Sequence, residues 1–179
     1  MIVLPSDRQE ADVPTAPTES AEVTSATSSV QLATELLGGR RVLHRQVATE
    51  EDAHELVLRG IPAEAMARLF AGVSLPSNVL LATLGVSERS FARRKAAPKT
   101  RLPIDESERL WRFAEVLGHA TRVFGSQAEA EHWLDRPAIG LDRRKPIDLL
   151  RTHPGHPAGP LRDWISRLRE PRQSPRDDS

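Results

Sequence analysis

Between Val86 and Arg101 the chain carries six basic residues, Arg89, Arg93, Arg94, Lys95, Lys99 and Arg101, against a single acid, Glu88. Arg and Lys at this density attract phosphate, and an Arg at the start of a groove-inserted helix can reach base edges. The flanking residues supply such a helix. Pro76-Ser77-Asn78-Val79-Leu80-Leu81-Ala82-Thr83-Leu84 reads as one short helix and Gly85 breaks it. Ser87 then caps a second helix through Phe91, Ala92 and Lys95, and Pro98 closes it. Short helix, glycine turn, short helix is the outline of a helix-turn-helix. The predicted DNA contacts are Ser87, Arg89 and Ser90 at the groove-facing end, with Arg93, Arg94, Lys95 and Lys99 on phosphates. The competing reading of the same residues is a solvated charged face.

A second group of residues lies downstream. Trp133, Leu134, Ile139, Leu141, Leu149, Leu150 and Trp164 are too many large apolar groups for two or three short helices to bury alone. Surplus apolar surface of this kind marks a protein partner, and tryptophan is enriched where binding energy concentrates. Arg136, Arg143, Arg144 and Lys145 ring the group with positive charge that can steer an acidic partner. Filling of the module's own core by the tryptophans, and an ordinary solvated loop at the arginines, are the alternatives.

Other chemistry finds no support. Nothing pairs a nucleophile with a base, so no catalytic residue is assigned. No Gly-rich phosphate loop occurs. Glu50-Glu51 and Glu129-Glu131 fall on helix surfaces and read as solvation. Of His44, His54, His119, His132, His153 and His156 only the last two are close, in His153-Pro154-Gly155-His156, which reads as a turn rather than a metal site. No cofactor is expected. With no cysteine in 179 residues, disulfides and thiolate zinc sites are excluded, which fits a reducing cytoplasm. The opening Met1-Ile2-Val3-Leu4 is too short for a signal peptide, and no later run could cross a bilayer. The 25 basic and 25 acidic residues cancel, so any nucleic-acid contact must come from a local patch.

The elements that would position these groups are helical throughout. Residues 1–31 read as a disordered acidic arm, rich in Ser, Thr, Ala, Glu and Pro. Leu32 to Leu37 suggests a short helix ended by Gly38-Gly39. Arg41 to Val47 is the one stretch resembling a strand. Thr49 caps a helix with an acidic first turn, Glu50-Glu51-Asp52, and Ala53, Leu56 and Val57 form its apolar stripe. Pro62 is expected at the first position of the next helix, with Met66, Leu69 and Phe70 inward. Asp105 and Glu108 form a variant capping box for the longest segment. Its apolar residues Leu110, Phe113, Leu117, Ala120 and Phe124, widened by Trp111, Val116 and Val123, make a face broad enough to pack on a core and on something else. Gln127 to Leu134, Pro146 to Leu150 and Leu161 to Leu168 complete the helical pattern.

The order of these segments resembles the Xre/MbcA/ParS antitoxins. Leu84-Gly85-Val86-Ser87-Glu88-Arg89-Ser90-Phe91-Ala92-Arg93-Arg94-Lys95 resembles the end of their helix-turn-helix. Glu106-Ser107-Glu108-Arg109-Leu110 looks like the start of their toxin-binding domain, followed by Val123-Phe124-Gly125, Ala130-Glu131-His132-Trp133-Leu134 and Pro146-Ile147-Asp148-Leu149-Leu150. Leu36-Leu37-Gly38-Gly39 and Gly60-Ile61-Pro62 resemble the leader of the same group, so the likeness spans about 36–152. The resemblance implies a cytoplasmic type II antitoxin that binds a RES-domain, NAD-degrading toxin and blocks its active site. It further implies a homodimer and binding to the operator of its own operon. Two departures stand out. The family's glycine- and aliphatic-rich ending is replaced by Arg167-Leu168-Arg169-Glu170-Pro171-Arg172. Generic helix-turn-helix units also prefer a small residue four positions before the turn glycine, where this chain has Leu81, next to Ala82.

The expectation is therefore an all-α chain without enzymatic activity. It has an acidic arm at 1–31, a helix-turn-helix module at 32–101, a helical toxin-binding module at 104–170 and a disordered tail at 171–179. Toxin contacts are assigned to Trp133, Leu134, Leu141, Arg143, Arg144, Pro146, Leu149, Leu150 and Trp164. A stand-alone transcriptional regulator, whose second module only dimerises, is the alternative.

Overall fold

The computed structural model describes residues 28–138, 141–152 and 165. The acidic arm up to residue 27, the His153 to His156 turn, Trp164 and the tail lie outside the described residues, as does Ile139.

Helices account for every regular element among the described residues, with one isolated β-bridge between Pro62 and Arg101. Helix α1 (Ser29–Leu36) starts from a capping box in which Ser28 and Gln31 satisfy each other's backbone N–H groups. Residues 29–31, expected in the arm, are thus the first turn of a helix. The Gly38-Gly39 turn, both residues at positive φ, leads into α2 (Gly39–Leu43), which ends at His44 in the left-handed region. The expected strand over Arg41 to Val47 is therefore absent. Val42, Leu43 and Val47 are buried, a spacing that suits a helical turn followed by one inward loop residue. A strand there would also need a partner to take its backbone hydrogen bonds.

Helix α3 (Glu50–Leu58) begins as expected at Thr49, whose hydroxyl accepts from Asp52 N while the Asp52 carboxylate accepts from Thr49 N. Helix α4 (Ala63–Gly72) has Pro62 one position earlier than expected, as its N-cap. The Pro62–Arg101 bridge explains the shift: Leu102 N donates to Ile61 O and Ala63 N to Thr100 O, holding residue 62 extended.

Helices α5 (Ser77–Leu84) and α6 (Glu88–Ala96) are joined by Gly85 in the left-handed conformation, at φ 65°, where glycine carries no steric penalty. Leu81, the unusual residue four positions before it, is buried at 7% exposure, whereas Ala82 faces solvent.

Helix α7 (Ile104–Phe124) is the axis of the protein. Residues 110 to 118 are buried without interruption, so the helix is covered on every side over more than two turns. Helices α1, α3, α5 and α8 pack on it. The "something else" demanded by its broad apolar face is α1, which approaches so closely at Gly118 that a Cβ there would lie 3.0 Å from the Ser29 carbonyl oxygen. The helix starts at Ile104 with Pro103 as N-cap, so the expected Asp105–Glu108 capping box does not form. Those carboxylates instead pair one turn on, Asp105 with Arg109 and Glu108 with Arg112, each at 2.9 Å.

Helix α8 (Gln127–Leu134) follows the Gly125 turn with Ser126 as cap, and α9 (Pro146–Thr152) packs against both α8 and α5. One buried apolar cluster runs from Val30 through α3 to α8 to Ile147, Leu150 and Ile165.

Candidate functional site

Helix α6 has no buried residue, and its composition leaves little to bury. Two side chains turn it toward the protein. Phe91 stacks on Phe70 of α4, ring centroids 4.2 Å apart at an interplanar angle of 28°, a contact worth about 1 kcal/mol beyond the area it buries. One turn later the Arg94 guanidinium forks onto Glu106 of α7. Nε donates to Oε2 at 3.2 Å and Nη2 to Oε1 at 2.9 Å, with both side chains about 15% exposed.

With Phe91 and Arg94 inward, the advance of 100° per residue turns Arg89, Ala92, Arg93 and Ala96 to the opposite side. Lys95 lies on the flank and Lys99 in the exposed segment beyond. Arg89, Arg93, Lys95 and Lys99 are all exposed and form no ion pair among the described residues. The two alanines keep the middle of this face low, so the helix backbone can approach a surface closely. At the N-terminus the Ser87 hydroxyl accepts from Ser90 N at 3.1 Å and bonds Ser90 Oγ at 3.1 Å. Ser87 is thus engaged as a cap. The next turn's backbone is held by an apolar foot and an ion pair.

This geometry corrects one assignment. Arg94 was expected on phosphate, but it points inward and its charge is already matched by Glu106. The basic cluster thus divides into an outward set of four and two structural members, Arg94 and Arg101. Arg101 donates through Nη1 to Gly60 O at 2.6 Å. A third arginine, Arg109, reaches under the turn and donates through Nε to Leu84 O at 2.7 Å, satisfying a carbonyl at the α5 terminus. No local pattern in the sequence marks Arg109 or Glu106 for these roles, because their partners lie 25 and 12 residues away.

The downstream group is more divided. Leu134 is fully buried, Leu150 is 8% exposed, and Pro146 is buried, so these three fill the core and offer no contact surface. The short C-terminal helices are not isolated: α9 lies on α5 and α8 on α7, and those neighbours absorb the apolar surplus. Trp133 is half-buried and tilted against Phe124, centroids 5.4 Å apart. Leu141 and Leu149 are half-buried at the edge of the core, and Arg143 and Arg144 are exposed. Asp142 and Arg143 adopt positive φ, 53° and 60°, in a turn closed by Ala138 N to Arg144 O and Arg143 N to Ala138 O, both 3.1 Å. That turn holds Arg143 and Arg144 outward next to Leu141. Lys145, expected in the basic ring, is paired with Asp135 at 2.9 Å. The large apolar residues most exposed among those described, Leu58 at 53% and Ile104 at 54%, lie outside this region.

A buried carboxylate that no local sequence pattern marks ties this region to the helix-turn-helix side. Glu131 on α8 is 5% exposed and accepts from Ser74 N at 2.8 Å and from the Gln127 amide, which also donates to Gly72 O at 2.6 Å. Among the described residues no three His, Cys, Asp or Glu side chains cluster as a metal site would require. No helix among them is long and apolar enough to cross a membrane.

Two family models match the chain. The one described as the antitoxin Xre-like helix-turn-helix domain covers residues 52–115, and the one described as the antitoxin Xre/MbcA/ParS C-terminal toxin-binding domain covers residues 119–156. Their junction falls inside α7. Similar curated proteins include the antitoxin Xre of Yersinia enterocolitica serotype O:8 / biotype 1B, 33% identical over 110 residues, which are 61% of this chain and 72% of that protein. The antitoxin Xre of Photorhabdus laumondii subsp. laumondii is 31% identical over 97 residues, 54% of this chain and 65% of that one. The antitoxin Xre of Pseudomonas putida is 37% identical over 54 residues, 30% of this chain and 34% of its own length.

Proposed function

This chain belongs to the Xre antitoxin family, a family of antitoxins and not of enzymes, and from that premise we propose that it is the antitoxin of a type II pair. In this reading it binds and inhibits a cognate RES-domain, NAD-degrading toxin in the cytoplasm. As a homodimer it also represses its own operon. Residues 32–101 carry the DNA-binding work and residues 104–170 the toxin-binding work, around the shared axis of α7.

The observation that carries the DNA half is the outward face of α6. Four cations without partners among the described residues stand on and just beyond a helix held by one ring stack and one ion pair. Arg89 near the helix start reads base edges, while Arg93, Lys95 and Lys99 hold phosphates. The toxin half rests on the family match over 119–156 together with Trp133, Leu141 and Leu149 at the core's edge beside Arg143 and Arg144. An interface built this way draws its affinity from a few apolar anchors with charge at the rim.

Co-expression with the neighbouring gene, followed by growth and pull-down assays, tests the toxin half. Rescue of growth with a recoverable complex is the expected result. Trp133→Ala is expected to weaken the complex by about 2 kcal/mol, or roughly thirtyfold. A toxic neighbour that this protein neither binds nor neutralises would overturn the toxin half. For the DNA half, Arg93→Ala combined with Lys99→Ala should flatten the dependence of log affinity on log salt by about 2. An unchanged slope removes this face from the assignment. The stand-alone regulator remains the second reading, favoured by the same α6 face if no toxic partner is found.

A further inference from the structure

We propose that Glu106, which lies outside the basic face, is the positioning residue for α6, and that the Arg94–Glu106 pair fixes the rotation at which the helix presents Arg89 and Arg93. This deepens the DNA-binding half of the proposed function and rests on it. A helix with no buried residue has little packing to define its rotation about its own axis. Phe91 supplies one point of attachment, and a stacked pair of rings permits rocking and sliding. The second point, Arg94, is different in kind. Its planar guanidinium makes two hydrogen bonds to both oxygens of one carboxylate, which fixes direction as well as distance. Both groups are largely withdrawn from solvent, so each is costly to leave without the other.

Glu106 is itself well placed to serve as a reference point. It stands in the first turn of α7. The following residues on that helix bind the surrounding structure. Ser107 Oγ accepts from Ile61 N at 2.9 Å, and Arg109 holds Leu84 O at the end of α5. The α5 terminus and the α6 rotation are thus referred to the same turn of the same helix.

The two roles open to Arg94 predict opposite signs when Glu106 is neutralised. If Arg94 were a phosphate contact restrained by Glu106, then Glu106→Gln would free a cation, tighten DNA binding and steepen the salt slope by about 0.9. If the pair positions the helix, Glu106→Gln leaves the outward cations in place but lets the helix turn. Specific affinity then falls about tenfold while binding to unrelated duplex changes little, because base contacts depend on register more than phosphate contacts do.

The test uses the full chain and fluorescein-labelled duplex from the region upstream of its coding sequence, with a scrambled duplex as comparison. Affinities are measured across a salt series, and thermal unfolding reports folding. Expected are a reduced ratio of specific to scrambled binding for Glu106→Gln and for Arg94→Lys, and recovery in the charge-reversed double variant Arg94→Glu with Glu106→Arg. Should a single variant unfold, the folded charge-reversed protein still decides the matter. Wild-type protein that does not prefer its upstream duplex overturns the DNA-binding reading and this proposal together. Wild-type preference retained in Glu106→Gln, or tighter binding with a steeper slope, overturns the positioning role alone.

Discussion

Gly118 lies in the middle of α7, where replacement by alanine pits two effects of similar size against each other. Alanine is favoured over glycine in a helix interior by about 1 kcal/mol, because glycine loses more backbone freedom on folding. Against this, the added Cβ would lie 3.0 Å from Leu32 Cβ, 3.0 Å from Ser29 O and 3.1 Å from Ala33 N, all on α1. Ordinary carbon contacts need roughly half an ångström more. Two of the three opposing atoms are helix backbone, so no rotamer change relieves the crowding. Helix α1 must withdraw as a unit, loosening the burial of Val30 and Ala33. Overpacking of this kind costs about 1–3 kcal/mol. Steric cost should therefore win, leaving Gly118→Ala less stable by about 1 kcal/mol. The melting temperature would then fall by about 2–4 °C for a chain of this size. Gly118→Val should fall further, since it adds two methyl groups against the same backbone. Thermal unfolding gives the sign, and hydrogen exchange of the α1 amides locates the loss. A higher melting temperature for Gly118→Ala, with α1 protection unchanged, would refute the reasoning.

Two further perturbations probe how the halves of the protein are joined and how it responds to acid. Glu131→Ala removes the buried acceptor of Ser74 N, and losing this part-buried hydrogen bond costs about 1 kcal/mol, since water can reach the exposed Ser74. The denaturation midpoint should drop accordingly and drop less in Glu131→Gln, while a midpoint equal to wild type would mean that water replaces the carboxylate without penalty. The Asp52 carboxylate is held below its ordinary value of 3.8, first by the backbone N–H of Ala48 and then by that of Thr49, both of which it accepts. A carboxylate with a lowered folded-state value contributes stability above its unfolded value and loses it as the pH falls through the folded one. Asp52→Asn should therefore flatten the decline in stability below pH of about 4, and an acid limb identical to wild type would assign that decline to other groups.

Local patterns determined most of the helical skeleton. Thr49 with Asp52, Gly85, Ser87 and Gly125 end or begin helices through bonds made within a few residues, so their roles were legible without the fold. The same holds for the polar face of α6, since a nine-residue helix with three arginines and a lysine has only one apolar anchor to turn inward. Tertiary structure decided what depends on distant partners. Whether Arg94 meets phosphate or protein turns on Glu106. Whether Leu134, Pro146 and Leu150 form a surface or a core turns on α5 and α7, which lie far back in the chain. Arg41 to Val47 looked like a strand because alternation over a few residues costs nothing to write, but a strand also requires a neighbour. Capping and hydropathy period are short-range and so can be read from sequence. Which of two like charges is neutralised, and which apolar residue is covered, is settled only when chain segments tens of residues apart meet.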